Sequence, residues 1–378
     1  MFKKRAGRIW LFQIFVALAS CVLTVFAIEI GLTLIRPVPF SIEANMYFEA
    51  DPYTGFRLKP GGVGHFQMGI PAMANSQGHR DVEVPLKKQP GKFRILVIGD
   101  SFTVGANVRQ DEAYSKVLEV KLRRKFGNQI EVVNSGVGGW EPFQYAQYFE
   151  HYGRRLEPDL VLIGFSIASD AFNQYAAVDQ LPTAILGRRI SRDAARRPLI
   201  GLQIFLYTHS NLVRLLLNRG SASRTVMRKE CDDFSDDFLV FKKEQMRNHL
   251  RDGKVQRDGA QNAVNQIRRI RGLAGQSVPT VVALLADENQ INPALQRRIL
   301  SATEIAQYDF DMPQSMLIDM FGASGIQTID VLPAMRADRR CLYMNDTHWA
   351  PAGHELAAAV ILDGLVPLIA RTLHVGLR

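Results

Sequence analysis

From Arg94 onward the chain alternates between two kinds of segment, and this alternation limits what it can fold into. Five short apolar runs, at 95–98, 130–133, 160–163, 280–285 and 326–331, are separated mostly by amphipathic stretches such as 113–125 and 142–155. Strand-like runs alternating with helix-like stretches predict a parallel sheet with helices on both faces. Five strands fit a three-layer α/β domain, closed by a last helix from about Ala352 to Ala370. The gap between 163 and 280 is too long for one crossover and predicts a helical insertion over about 176–265. Within it, Leu202–Leu206 and Leu212–Leu217 read as a helix with a broad apolar face.

Two regions precede the domain. The N-terminus carries Lys3, Lys4, Arg5 and Arg8, and no charge then occurs from Ile9 to Ile28. After Glu29 the apolar character resumes to Ile35. About 20 apolar residues span a bilayer, so residues 9–35 are expected to be a transmembrane anchor behind a cytoplasmic tail, 1–8. Basic residues before the span keep the N-terminus inside, which puts everything after about residue 36 outside. A lipoprotein box at Leu18-Ala19-Ser20-Cys21 and a cleaved signal peptide are the alternatives. The chain stays apolar after Cys21, and the run is longer than a signal peptide needs. Glu29 either meets a membrane partner, as intramembrane carboxylates usually do, or lies at the interface. Residues 36–92, rich in Pro and Gly, read as a lead-in rather than core; the domain itself is expected over 93–378.

With 47% hydrophobic and 22% charged residues the chain is expected to be globular rather than disordered. Its net charge is +9, yet no nucleic-acid motif accompanies it. Gly187–Lys229 holds ten Lys/Arg and one acid, Asp193. That segment is either a solvated basic face or one lying near anionic lipid or an anionic polymer. Of three cysteines, Cys21 lies in the anchor. Cys231 and Cys341 fall in a compartment that permits disulfides; they either pair or remain two separate buried thiols.

The chemistry-bearing motifs sit at strand ends. Gly99-Asp100-Ser101-Phe102-Thr103 follows the first strand, with the serine opening a helical segment whose N–H groups suit an oxyanion. Asn134-Ser135-Gly136-Val137-Gly138-Gly139 follows the second, and Ser166-Ile167-Ala168-Ser169-Asp170 the third. Asp170 and Asn173 are alternatively caps for the next helix. Asp346-Thr347-His348-Trp349 precedes the last helix. His348 is the only one of the eight histidines with a carboxylate two residues before it and a helix start just after. His354 more simply packs in that helix. A serine with an imidazole to take its proton and a carboxylate to orient the imidazole makes a nucleophile. No cluster has zinc-ligand spacing and no phosphate loop occurs, so the reading needs neither metal nor cofactor.

Together these blocks resemble the SGNH (GDSL-type) hydrolase family over about 95–370, in the family's order. The resemblance implies a flavodoxin-like three-layer SGNH fold and a Ser-His-Asp triad. Ser101 would be nucleophile and oxyanion donor, Gly136 the second donor, His348 the base and Asp346 its carboxylate. Two positions depart from the pattern. The third block's usual oxyanion asparagine is replaced by Ser169, whose hydroxyl, or the amide of Asn173, would have to compensate; losing such a donor costs about 2.7–4 kcal/mol of transition-state stabilisation. The acid lies two residues before the histidine, where three is usual, and this spacing is similar to that of the alginate O-acetyltransferase relatives. The resemblance thus implies an inner-membrane protein with a periplasmic domain. It would be an esterase or O-acyltransferase acting on an acylated envelope carbohydrate or acyl donor, with a multi-spanning acyltransferase as partner. An inactive scaffold or carbohydrate-binding component and a membrane-surface lipid esterase are the alternatives.

Overall fold

The computed structural model describes residues 2–35, 48–66, 70–172, 175–217, 231–251 and 254–375. Its centre is a five-stranded parallel sheet of β5 (Phe93–Gly99), β6 (Ile130–Asn134), β7 (Leu160–Ser166), β10 (Thr280–Leu285) and β11 (Gln327–Asp330). The strands lie in the order β11-β10-β7-β5-β6, all parallel. This is the flavodoxin-like order, in which the chain reverses direction across the sheet between β5 and β7; ligands bind outside the carboxyl ends at that reversal. Ser101 and Ser169 follow those two strands.

Both faces of the sheet are covered, so its strands are apolar throughout rather than alternating. Ile95 and Val97 point into a core with α3 (Tyr114–Phe126) and α15 (Pro351–Val375); Leu96 and Ile98 point into another with α4 (Pro142–His151), α9 (Lys254–Ala274) and α13 (Met312–Ala323). Shorter helices complete the domain: α2 (Ser101–Val104) after β5, α10 (Glu288–Ile291), α11 (Pro293–Ile299) and α12 (Ala302–Ile305) after β10, and α14 (Leu332–Ala337) after β11.

From Trp10 to Ile35 the first helix, α1 (Phe2–Ile35), is apolar apart from Glu29 and largely exposed. Among the described residues two helices are long and apolar enough to cross a membrane, Trp10–Ile35 and Pro351–Leu373. The second lies in α15, whose Ala357, Ala358, Ile361, Leu365 and Ile369 are buried on the sheet.

Two expectations need correction. The segment before the domain is core. Its strands β1 (Phe48–Asp51) and β2 (Gly55–Leu58) pair antiparallel, as do β3 (Val63–His65) and β4 (Pro71–Met73). Phe48, Phe56, Leu58 and Ala72 join the α4/α9 core. Strands of three or four residues are too short to show a period, and Pro and Gly at their ends read as loop. The insertion is also not purely helical, and it ends before 265. It contains the hairpin β8 (Thr183–Ile185) and β9 (Arg188–Ile190), then α5 (Arg192–Ala195), α6 (Ile200–His209), α7 (Asn211–Leu217) and α8 (Asp236–Gln245). Ser210 breaks the expected single apolar helix into α6 and α7. By contrast α9 is the crossover helix to β10, with Ala260, Ala263, Val264, Ile267 and Ile270 buried at four- and three-residue spacing against the sheet.

Cys231 and Cys341 are joined by a disulfide with Cα atoms 5.1 Å apart. It ties the stretch before α8 to the loop before Asp346.

Candidate active site

The turn after β5 is shaped by packing. A Cβ on Gly99 would fall 2.1 Å from Thr103 Oγ1, and one on Gly164, its neighbour in β7, 2.3 Å from Tyr114 Oη. Both positions must be bare so that Thr103 and Tyr114 can lie across the strand ends, hydrogen-bonded to each other at 2.9 Å. Asp100 then caps α2, its carboxylate accepting from Phe102 N at 2.9 Å. Ser101 is the first residue of α2, where the N–H has no acceptor within the helix.

Ser101 and His348 line one cavity of about 450 Å³, shared with Asp100, Gly139, Ser169 and Arg189. His348 Nδ1 lies 2.9 Å from Asp346 Oδ2, and its backbone N–H reaches Asp346 Oδ1 at 3.2 Å. With the proton held on Nδ1, Nε2 is the basic nitrogen. Burial alone would raise the Asp346 carboxyl. The charge of His348 and the hydrogen bonds from His348 and Asn107 outweigh it and hold the carboxyl below its ordinary value. Asn107 Nδ2 donates to the same Oδ2 that holds the imidazole. His354 is a packing residue as expected: it is buried, its ring stacks on Tyr114, and its Nδ1 accepts from Tyr114 N at 3.2 Å.

The loop after β6 corrects one assignment. The Gly136 N–H is already donated, to Asn134 Oδ1 at 3.0 Å. A Cβ there would meet Val104 N at 2.4 Å, so Gly136 is bare to let α2 pack. Gly136 is buried and lies off the cavity, whereas Gly139 lines it, with φ +78°. The Gly139 N–H makes no hydrogen bond within the described residues. Of the two glycines, Gly139 and not Gly136 faces the cavity with an N–H left over. A Cβ on Gly139 would fall 1.4 Å from Arg189 Nη1, so the guanidinium rests directly on this bare backbone.

Ser169 lines the cavity, but its hydroxyl lies 3.2 Å from Asp100 Oδ2 and 3.4 Å from Asp170 Oδ1. Asp170 is not a cap. It is fully buried and accepts from Ser166 N and Tyr145 Oη, both at 2.9 Å. Burial, opposed by the bond from Phe102 N and the charge of His348, pushes Asp100 up to about 6. Burial and the neighbouring Asp100 raise Asp170 well above its ordinary value. Asn173 lies outside the described residues.

Sequence reasoning missed a second support of the loop that carries Asp346 and His348. Thr347, between Asp346 and His348, has φ +76°, a genuine outlier for a β-branched residue. Lys242 of α8 holds it: the fully buried ammonium donates to Thr347 Oγ1 at 3.0 Å, to Asp287 Oδ1 at 2.5 Å and to Gln245 Oε1 at 2.9 Å. Burial would raise the Asp287 carboxyl, but the charge of Lys242 and the bonds from His249 and Lys242 together outweigh it and hold it far below its ordinary value. Nothing in the sequence around Lys242 marks it, because its partners are 45 and 105 residues away.

A parallel sheet in flavodoxin-like order, with Ser101 at its reversal point and the Asp346–His348 pair before the last helix, makes an SGNH-like fold. Residues 236–369 match the family model described as SGNH hydrolase-like domain, acetyltransferase AlgX. That match runs from α8 to α15 and includes Lys242, Asp346 and His348 but not Ser101. No curated protein matches the chain. Solved structures with a similar course include a catalytic mutant of Axe2, an acetylxylan esterase from Geobacillus stearothermophilus. It is 14% identical, the alignment covers 74% of this chain and 96% of that one, and the TM-score is 0.39. The acetyl xylan esterase AlAXEase is 12% identical over 72% of this chain and 100% of its own, with TM-score 0.37. The lipase/acylhydrolase from Enterococcus faecalis is 14% identical over 72% and 95%, with TM-score 0.35.

Proposed function

We propose that the protein is a membrane-anchored serine O-acyltransferase or esterase that carries an acyl group on Ser101 and acts on O-acyl groups of an envelope carbohydrate in the periplasm. The observation that carries this reading is the shared cavity of Ser101 and His348, with the imidazole held by Asp346. Ser101 Oγ attacks the acyl carbonyl while His348 Nε2 takes its proton. The N–H groups of Ser101 and Gly139 receive the oxyanion. Collapse expels the first alcohol, which takes the proton back from His348 and leaves an acyl-enzyme. A sugar hydroxyl or water, deprotonated by the same imidazole, then accepts the acyl group.

The cavity wall supports a carbohydrate acceptor. Alongside the catalytic groups it presents the hydrogen-bonding side chains of Glu141, Tyr175, Arg189, Ser191 and Gln245 next to the ring of Trp140, a mixture that suits a sugar. The matching family model is that of an acetyltransferase, which supports acetyl as the group transferred. A multi-spanning membrane protein is the expected source of that group.

One observation favours a second reading, a catalytically weak scaffold. The Ser169 hydroxyl is within reach of Asp100 rather than standing free as a third oxyanion donor. A fluorophosphonate probe on the full chain in detergent separates the two. The enzyme reading expects a covalent adduct on Ser101, lost in Ser101→Ala and slowed by about 10³-fold or more in His348→Ala. A folded protein that takes no adduct would leave only the scaffold.

A further inference from the structure

We propose that the α6–α7 hairpin of the insertion is a membrane-docking element, seated in the outer interface of the bilayer that α1 crosses; the proposal rests on the anchor reading of α1. The first observation is a latch. The Glu29 carboxylate of α1 accepts from Asn211 N at 2.5 Å, Leu212 N at 3.0 Å and Ser210 Oγ at 2.7 Å, the groups that open α7. One helical turn further along α1, Thr33 Oγ1 accepts from Asn211 Nδ2 at 2.9 Å. The start of α7 is therefore fixed beside residues 29–33 of the anchor.

Length sets the depth of that latch. The uncharged run begins at Ile9, and about 20 helical residues at 1.5 Å each cross a hydrocarbon core of about 30 Å. The crossing is complete at about residue 28. Glu29 then emerges in the interface and brings α7 with it.

The surface held there is apolar where a soluble domain would be polar. Leu202, Phe205 and Leu206 form a stripe on α6 at 51%, 47% and 41% exposure, Leu199 just before the helix is 71% exposed, and Leu215, Leu216 and Leu217 end α7 at 45–65%. Their spacing on α6 puts them on one face. Arg196 and Arg197, both exposed, stand immediately before this stripe. Apolar side chains flanked by guanidinium groups match an acyl boundary beneath anionic headgroups. An aqueous face would leave the leucines in water and the latch without purpose.

The consequence is a fixed orientation of the catalytic cavity. Its wall includes Arg189, Ile190 and Ser191, and the chain runs directly from these through α5 to Leu199. Docking holds the cavity mouth close to the membrane surface, where an acyl donor delivered through or along the bilayer arrives.

The test is nitroxide accessibility on the full chain in nanodiscs of phosphatidylethanolamine and phosphatidylglycerol. Cys21→Ser removes the one free thiol. Single cysteines are then placed by Leu202→Cys and Leu216→Cys, with Phe15→Cys reporting α1 and exposed Arg124→Cys of α3 reporting water. The proposal expects the ratio of oxygen to nickel-complex collision rates at 202 and 216 to exceed that at 124 several-fold, and to approach that at 15. A membrane value at 15 with aqueous values at 202 and 216 overturns docking and leaves the anchor standing. Aqueous values at all sites overturn the anchor itself, and docking with it.

Discussion

Gly136 and Gly139 sit three residues apart on one loop, and their duties differ. Gly136 is bare because the backbone of α2 packs on it; Gly139 is bare because Arg189 does, and it alone opens to the cavity. Gly136→Ala is therefore expected to destabilise the whole domain by pushing on Val104 N, visible as a lower thermal midpoint. Gly139→Ala costs about 1–2 kcal/mol for its left-handed backbone and displaces Arg189. Its expected signature is a slower fluorophosphonate reaction at Ser101 out of proportion to lost stability. The sequence showed a glycine-rich loop but could not say which glycine faces the substrate, since that depends on α2, thirty residues earlier. Ser101, Asp346 and His348 were legible because each stands beside a strand end or helix start. Asp100 adds a pH dependence. Its carboxyl sits at about 6, against about 3.9 in an unfolded chain. The folded state then holds the proton more tightly, so stability present below about pH 4 is lost as pH rises through 6. Asp100→Asn, which keeps the cap acceptor, should flatten this decline, on the order of 2 kcal/mol. Urea unfolding at pH 4 and pH 7 measures the difference; equal slopes in both proteins would remove Asp100 as the cause.

Single elements carry the next level. The strands of the parallel sheet were legible because burial on both faces makes them continuous apolar runs, and α3 because Tyr114, Leu118 and Leu122 recur every fourth residue on its buried side. The hairpins β1–β2 and β3–β4 were not, being short and bounded by Pro and Gly. Nor was the role of α8, whose sequence reads as an ordinary polar helix. Yet Lys242 on α8 joins the insertion to the loop of Asp346 and His348 through Thr347, and to Asp287. Lys242→Met leaves the buried Asp287 without its cation and releases a residue at an unfavourable φ. Breaking a buried pair from one side costs about 3–5 kcal/mol. The expected result is a loss of that size in urea unfolding, with a marked fall in the rate of Ser101 labelling under native conditions, because His348 is no longer held. Normal labelling by a destabilised Lys242→Met protein would show that Thr347 keeps its conformation without the lysine.

At the scale of the whole molecule, the insertion and the segment that leads to His348 are joined twice, through Lys242 and through Cys231–Cys341. The two ties act on different states. The disulfide closes a loop with a sequence separation of 110, holding α8 to α14 within it, and in the chain-entropy account it works mainly by restricting the unfolded chain. Cys231→Ser with Cys341→Ser should therefore lower stability by about 2–4 kcal/mol. Ser101 labelling should fall less than in Lys242→Met, since the buried lysine still holds Thr347. Reducing agent should bring the wild-type midpoint to that of the double variant and leave the variant unmoved. The same bond bears on location, because such pairs persist in oxidising compartments and are rare in the cytosol. Protein made without export should carry free thiols at 231 and 341 and melt with the variant, and exported protein should not. A wild-type midpoint indifferent to reductant would mean that the lysine network alone joins the insertion to the loop.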